Sequence, residues 1–360
     1  MDHTKAWISL SLIDDIGPIT ARRLLEIFKT PENILGAPIS RIKELGILNN
    51  AQIKSLTRGA DSQEVEQVSR SLDRIGAKAV GMDDPSYPEA LRHIDAPPVV
   101  LYVRGSISDL QPSVAVVGTR SPSHYGKEMA YAMARDLSTS GISVVSGLAR
   151  GIDTHAHRGA LKGIAKTAAV LGSGIDIIYP PENTDLCEQI AEKGALISEF
   201  PPGTRPEAGN FPRRNRIISA LSTAVVVIEA AAKSGALITA RLAAEQGKMV
   251  MALPGAVTDI RSKGPHQLIR EGAMLVRDAA DVIMEIAPQV KGFIKDTERT
   301  GESGNDIVEA CSGRAMCIED IAQELNITAV KLMPRISMLE LSGKIMKVDG
   351  NRFIARSRNG

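Results

Sequence analysis

Val114-Ala115-Val116-Val117-Gly118-Thr119-Arg120-Ser121-Pro122-Ser123 joins a short β-branched run to a glycine and a polar, cationic loop. Four consecutive apolar residues with no alternation read as a strand buried on both faces, the kind that parallel sheets contain. Gly118 permits a sharp turn, and a helix opening near Tyr125-Gly126 leaves its first N–H groups free to face whatever lies past the strand. Thr119, Ser121 and Ser123 add hydroxyl donors, and Arg120 adds a permanent charge on a planar fork suited to phosphate oxygens. The loop is therefore read as an anion site. It lacks Gly-x-Gly-x-x-Gly, so no dinucleotide cofactor is expected.

The same texture recurs on both sides of this stretch. From Val99 to about Glu285, apolar runs alternate with amphipathic segments: Val114–Val117, Ile142–Val145, Ala168–Leu171, Ala195–Ile197, Ala224–Ile228, Met249–Leu253 and Met274–Val276. Strands separated by helices predict an α/β fold, a Rossmann-like, doubly wound and mainly parallel sheet over residues 81–290. Ligands of such sheets sit beyond the carboxyl ends of the strands, so the segment after each run is a candidate site.

The second run leads into Ser146-Gly147-Leu148-Ala149-Arg150-Gly151-Ile152-Asp153, again small, polar and cationic. His157 follows Asp153 by four residues, which puts both on one helical face. They read as a metal or acid–base pair or as a buried hydrogen-bonded pair anchoring the loop; the second is favoured because no third ligand stands at a suitable spacing. The third run ends in Gly172-Ser173-Gly174, where glycines allow close approach of a ligand or simply tight packing. The fourth passes through Ser198-Glu199-Phe200 to Gly209-Asn210-Phe211-Pro212-Arg213-Arg214-Asn215-Arg216. Three arginines in four residues beside a ring suit a nucleic-acid strand, with guanidiniums on phosphates and the ring under a base. The alternative is that they pair with Glu199, Glu207 or Glu229. After the fifth run, Ser234 is read as a helix N-cap whose neighbouring amides hold an anion. Nowhere do a nucleophile, a tuned base and an acid converge, so no catalytic residue is expected.

The flanks differ in texture. Residues 1–80 read as short helices broken at Ile16-Gly17-Pro18-Ile19, before a helix Ala21–Phe28, and at Leu45-Gly46-Ile47, before a helix Ala51–Leu56. The pattern resembles a pair of helix-hairpin-helix units, a SAM-like domain, or a purely helical packing domain. Residues 291–305 are polar and Gly-containing, as in a linker. Residues 306–360 read as a winged helix: Ile307–Cys311, Ile318–Leu325 and Ala329–Leu341 as helices, then a hairpin at Asp349-Gly350. Pro334 inside the presumed recognition helix weakens the reading of duplex DNA and leaves a protein-contact winged helix as at least an equal alternative.

Composition bounds the partners. The 360 residues carry 43 Lys plus Arg against 42 Asp plus Glu, so nucleic-acid binding requires a local cationic cluster rather than a global field. At 3% aromatics a many-ring stacking platform is excluded. The cysteines at 187, 311 and 317 offer neither metal-ligand spacing nor a disulfide framework, so no metal site and a reducing cytoplasm are expected. No apolar run reaches the ~18 residues of a membrane span, and no signal peptide is read at the N-terminus.

Taken in order, several of these stretches resemble the DNA-processing protein A family (DprA, also called Smf) over residues 85–285. They are Val117–Gly126, Ser146–Asp153 with His157, Gly174-Ile175-Asp176 with Tyr179-Pro180, Ser198-Glu199-Phe200, Phe211–Ile218 and Ser234–Ala240. The resemblance implies a protein without enzymatic activity or cofactor that binds single-stranded DNA and forms a homodimer through its Rossmann-like domain. It further implies a role in loading RecA recombinase onto incoming DNA during natural transformation. By position, Arg120 and Gly209-Asn210-Phe211 would line the strand pocket, with Arg214 and Arg216 nearby. The full expected DNA-binding set adds Ser121, Ser123, Gly147, Arg150, Gly172, Ser173, Gly174, Arg213, Asn215 and Ser234. Many relatives carry Lys immediately before Gly-Asn-Phe; here that residue is Ala208, with Arg205 three residues upstream.

Two rival readings remain at this level. Nucleoside 5′-monophosphate phosphoribohydrolases bind a nucleotide in a related crevice, but their Pro-Gly-Gly-x-Gly-Thr loop is replaced here by Ser234-Gly235-Ala236-Leu237. A winged-helix transcription regulator with a ligand-sensing domain would need duplex specificity, which Pro334 disfavours.

Overall fold

The computed structural model describes residues 2–290, 305–328, 344–348 and 352–355, together with 332, 335, 336 and 339. Six helices come first: His3–Leu12, Pro18–Phe28, Pro31–Leu35, Ile39–Glu44, Asn50–Arg58 and Ser62–Ile75. Their starts follow from local chemistry. The Asp2 carboxylate accepts from the Lys5 amide, Pro18 and Pro31 sit in first turns, and Asn49 and Gln52 form a reciprocal capping box.

The chain then enters a sheet with β1 (Ala77–Gly81), β2 (Val100–Gly105), β3 (Ser113–Gly118), β4 (Ser143–Ser146), β5 (Thr167–Val170), β6 (Ala195–Ser198), β7 (Ala224–Ile228), β8 (Met249–Ala252) and β9 (Met274–Leu275). Their order is β1-β2-β6-β5-β4-β3-β7-β8-β9. Every pairing from β6 across to β9 is parallel, whereas β1–β2 and β2–β6 are antiparallel. The seven expected strands are all present, in the expected doubly wound arrangement.

β1 and β2 have no counterpart among those seven. β1, Ala77-Lys78-Ala79-Val80-Gly81, is a short edge strand with little β-branched character. Only the four-residue helix Glu89–Arg92 separates the two, so the helix–strand alternation that reveals βαβ units is absent there.

Alternation along the strands feeds two faces. Val114 and Val116 join Met133, Leu137, Ile152 and Val282 on one face; Ala115 and Val117 join Ile217, Leu221, Ala236 and Ala240 on the other. The N-terminal helices add to one end of the sheet, where Trp7, Leu10 and Leu24 form a continuous cluster with Val100, Tyr102, Leu171 and Leu196. A glycine is needed under that helix, because a Cβ on Gly81 would lie 2.5 Å from the Trp7 indole nitrogen. The sheet and the first 75 residues thus share apolar core.

The C-terminal segment has its own core, with Ile307, Met316, Ile321, Ile345 and Phe353 buried together. Helices Asn305–Ala310 and Ile318–Glu324 pack beside β10 (Met316–Cys317), β11 (Ile345–Val348) and β12 (Arg352–Ala355), ordered β10-β12-β11. Residues 291–304, most of the expected helix 329–341 including Pro334, and the Asp349-Gly350 turn lie outside the described residues. No described helix is long and apolar enough to cross a membrane.

One consequence of the strand order positions the site. β3 lies between β4 and β7; the chain leaves it to build β4, β5 and β6 on one side, then returns to its other side for β7. The strand order reverses at β3, so a crevice opens past its carboxyl end.

Candidate nucleic-acid interface

The loops that follow β3, β4, β5 and β6 meet at the start of the helix Asn210–Ala220, and Phe211 is where they converge. Its half-buried ring lies on the backbone of Gly172: a Cβ there would stand 2.8 Å from the Phe211 ring. The Arg120 guanidinium sits 5.2 Å from the ring centroid and that of Arg214 sits 6.0 Å away. Tyr179, which the sequence reading left out of the site, packs against Phe211 with centroids 5.8 Å apart and planes tilted by 47°. Arg150 in turn lies 5.9 Å from the Tyr179 ring. Tyr179-Pro180 follows a glycine-rich βα loop and is among the stretches that carry the resemblance, but nothing local announces that its ring meets another from a different loop.

The candidate residues divide into a surface and its foundations. Arg120 and Ser121 are exposed, as are Gly209 and Arg213, and neither Arg120 nor Arg213 has an ion-pair partner among the described residues. Arg213 lies over the Phe200 ring at 5.2 Å. Arg150 is also exposed but is held by Glu182, with Nη2 donating to Oε2 at 3.1 Å and a second, shorter bond from Nε. Ala208 is exposed, and so is Arg205, whose carbonyl accepts from the Asn210 amide group at 3.4 Å.

Other members of the set serve the fold instead of facing outward. Arg214 is 4% exposed and donates to the carbonyl oxygens of Gly147, at 2.7 Å, and Val170. It therefore closes the carboxyl ends of β4 and β5, and it is not a surface phosphate contact as expected. Gly147 is obligatory beneath it, since a Cβ there would lie 2.5 Å from Nη2. Burial lowers the Arg214 guanidinium to about 10, so it stays charged at neutral pH. Arg216 pairs with Glu199 at 2.5 Å in a largely buried ion pair, as the alternative reading allowed.

Ser123 is likewise committed. Its amide donates to the Glu229 carboxylate at 2.8 Å, its hydroxyl donates to the same group, and its oxygen caps the next helix by accepting from Gly126 N. Ser173 donates to the Ile177 carbonyl at 2.6 Å, and Gly174 N donates to the Thr204 carbonyl at 2.9 Å. Asn215 accepts from Arg214 Nε at 3.2 Å and reaches the Gly235 carbonyl. Ser234 caps its helix as expected, accepting from the Ala236 amide.

Asp153 and His157 are both buried but do not bond to each other. Asp153 accepts from the Gly147 and Ala149 amides at 3.1 and 3.3 Å, and burial raises its carboxyl pKa against the opposing pull of Arg214. His157 Nδ1 meets Thr167 Oγ1 at 2.8 Å. Because that hydroxyl donates to the Val144 carbonyl, it must accept from the imidazole, which fixes the Nδ1–H tautomer. Two residues with left-handed φ, Leu148 at 56° and Glu229 at 50°, complete the crevice. They mark places where packing holds the backbone against its preference.

The result is a rigid, hydrogen-bonded floor under a rim of two rings and exposed guanidiniums. Such a surface can stack a base and neutralise phosphates, and four carboxylates near it are engaged elsewhere: Glu229 by Ser123, Glu199 through Oε2 by Arg216, Glu182 by Arg150 and Asp153 by backbone amides.

Comparison with known proteins agrees with this architecture. Residues 78–287 match the family model for DNA recombination-mediator protein A. A protein Smf of Synechocystis is 38% identical over 275 residues, 75% of this chain and 69% of its own length. The X-ray structure of DNA processing protein A from Streptococcus pneumoniae superposes with a TM-score of 0.70 at 34% identity, covering 79% of this chain and 99% of that one. DNA processing protein A from Helicobacter pylori, solved for its single-stranded DNA binding mode, gives a TM-score of 0.53 at 30% identity, covering 61% and 96%.

Proposed function

Since the chain belongs to the DNA recombination-mediator protein A family, we propose that it binds single-stranded DNA along the rim past β3 and hands the strand to RecA recombinase. Arg120 and Arg213 neutralise phosphates and Phe211, with Tyr179 beside it, stacks on a base. The observation that carries this reading is the exposed Arg120 guanidinium, without an ion-pair partner among the described residues, 5.2 Å from the Phe211 ring at the carboxyl edge of the sheet. Duplex DNA hides its base faces, so a ring of this kind favours a single strand. The related Helicobacter pylori protein, with its single-stranded DNA binding mode, supports the same choice of ligand. Homodimerisation through the sheet domain and action in natural transformation in the cytoplasm follow from the family resemblance.

The test is a salt titration of single-stranded and duplex binding. The parent should prefer the single strand, with log K falling by about 0.7 per phosphate contacted for each log unit of salt. Arg120→Ala should flatten that slope by about 0.7. Phe211→Ala should leave the slope and weaken binding by about 1–3 kcal/mol, the usual worth of one stacked base. Equal affinity for the two forms of DNA, or normal binding by both variants, would overturn the proposal.

A further inference from the structure

On the far side of β3 from Phe211, the loops after β7 and β8 carry a second surface at the carboxyl edge of the sheet. Among the described residues Tyr125 is the most exposed Phe, Tyr or Trp, at 45%. It stands two residues after the Ser123 N-cap, so the loop that carries Arg120 runs directly into it. Its hydroxyl donates to the Pro254 carbonyl at 3.2 Å, which ties the ring to the loop after β8. That loop presents Val257 and Ile260, which are 84% and 62% exposed. Three strongly exposed apolar side chains thus stand on two segments joined by one hydrogen bond.

The backbone beneath them is pinned. Ala230 N donates to the Arg261 carbonyl at 2.6 Å, Gly264 N donates to the Ala230 carbonyl at 2.8 Å, and the His266 ring meets the Gly255 carbonyl at 3.0 Å. A grouped set of apolar side chains held out by a fixed loop marks an interaction surface. The charges around it suit an anion. Asp259 is neutralised by Arg261 through two hydrogen bonds of 3.0 Å, and Glu229 is taken by Ser123. Lys233 and Lys263 are exposed, with no ion-pair partner among the described residues. Apolar contacts with unpaired cations beside them match a single strand, whose bases and sugars are apolar and whose phosphates are anionic. An acidic protein is the other occupant such a surface could take; its continuity with the Arg120 loop favours the strand.

We propose that the strand bound at the Arg120–Phe211 rim continues across β3 and β7 onto this ridge; this rests on the single-strand reading above. Tyr125 stacks on a further base, Val257 and Ile260 pack against the neighbouring nucleotides, and Lys233 and Lys263 neutralise phosphates. Gly172, under Phe211, follows β5, and Pro254 follows β8. The order β5-β4-β3-β7-β8 puts four strand spacings between them, about 19 Å, so the track holds several nucleotides beyond the rim.

The experiment compares binding of the full chain to oligothymidylates of about 4 and about 12 nucleotides, the span of single-strand site sizes. The parent's salt slope should be steeper for the longer oligomer by about 1.4, two further phosphates. Lys233→Ala and Lys263→Ala should each remove about 0.7 of that difference and leave the short oligomer unaffected. Tyr125→Ala should weaken the longer oligomer alone by about tenfold, the worth of one stacked base. Tyr125→Phe loses the bond to Pro254 but keeps the ring, and it should bind as the parent does. Val257→Glu sets a carboxylate on the ridge at a position that packs against little, and should also weaken only the longer oligomer. Equal parent slopes for the two lengths overturn the second track, and so does a Tyr125→Phe variant as weak as Tyr125→Ala. Lysine and Val257 variants that bind the longer oligomer normally overturn it as well and assign the ridge to a protein partner. Each of these outcomes leaves binding at the rim standing. A parent that binds neither length overturns the single-strand reading itself.

Discussion

Arg213 and Arg214 are neighbours in one helix, yet they belong to different parts of the molecule. A step of ~100° around the helix axis separates their side chains. Arg213 points to solvent over the Phe200 ring, while Arg214 is 4% exposed and spends its donors on the carbonyls that end β4 and β5. The floor and the rim of the crevice thus use the same residue type for opposite ends. Floor charges are neutralised by the protein and make the crevice rigid; rim charges are left for counterions and for whatever displaces them.

The sharpest way to break this comparison is Arg214→Ala. It would leave the Gly147 and Val170 carbonyls without their donor and Asp153 without a nearby cation. Removing one partner from a buried charged network typically costs about 3–5 kcal/mol. Urea unfolding should show a loss of that size, together with an unchanged salt slope of DNA binding for the molecules that remain folded. A variant as stable as the parent with a flattened slope would move Arg214 from floor to rim.

His157 tests the floor by pH. Burial lowers its pKa from 6.5 to about 3, so the folded protein binds the proton later than the unfolded chain does. For a basic group depressed in this way, stability is complete above about pH 6.5 and is lost as pH falls toward about 3. At about pH 4.5 the loss from this one group should approach 3 kcal/mol. The burial of Asp153 acts with the opposite sign, and it is common to parent and variant. The difference between the stability curves of the parent and His157→Gln therefore isolates the histidine. Parallel curves across that range would mean that His157 is not held neutral by the fold.

How much of this could be read from the chain follows from what each residue depends on. The central parallel strands announce themselves because a strand buried on both faces must be continuously apolar, as Val114–Val117 and Ala224–Ile228 are. β2 carries the same mark in Val100-Leu101-Tyr102-Val103 but lacks the helix–strand alternation around it, and β1 carries no such mark. In the site, the exposure of Arg120 was legible because a loop after a strand's carboxyl end is exposed in any doubly wound sheet, whereas Phe211 stands half-buried in the first turn of a helix. The fate of Arg214 was not legible, and that of Arg216 stayed open between a phosphate and Glu199, because they depend on the helix's rotation and on acceptors 44 and 17 residues away in sequence, Val170 O and the Glu199 carboxylate. Tyr179 escaped for the same reason: its neighbour Phe211 comes from another loop. Local chemistry reveals where a ligand can reach, whereas long-range packing decides which charges are left to meet it.

Arg150 lies between the two classes and gives the smallest effect. It is exposed like the rim arginines and lies over Tyr179, but Glu182 holds it with two hydrogen bonds, as the floor holds its own charges. An ion pair this open to water is weak and yields readily to a competing phosphate. Glu182→Gln removes the competing carboxylate and leaves the stacking surface in place. If Arg150 is a rim cation in waiting, the variant should bind single-stranded DNA more tightly at low salt, with a slope steeper by about 0.7, one further phosphate contact. An unchanged slope would assign Arg150 to the loop's own architecture, leaving Arg120 and Arg213 to carry the phosphate contacts of the rim.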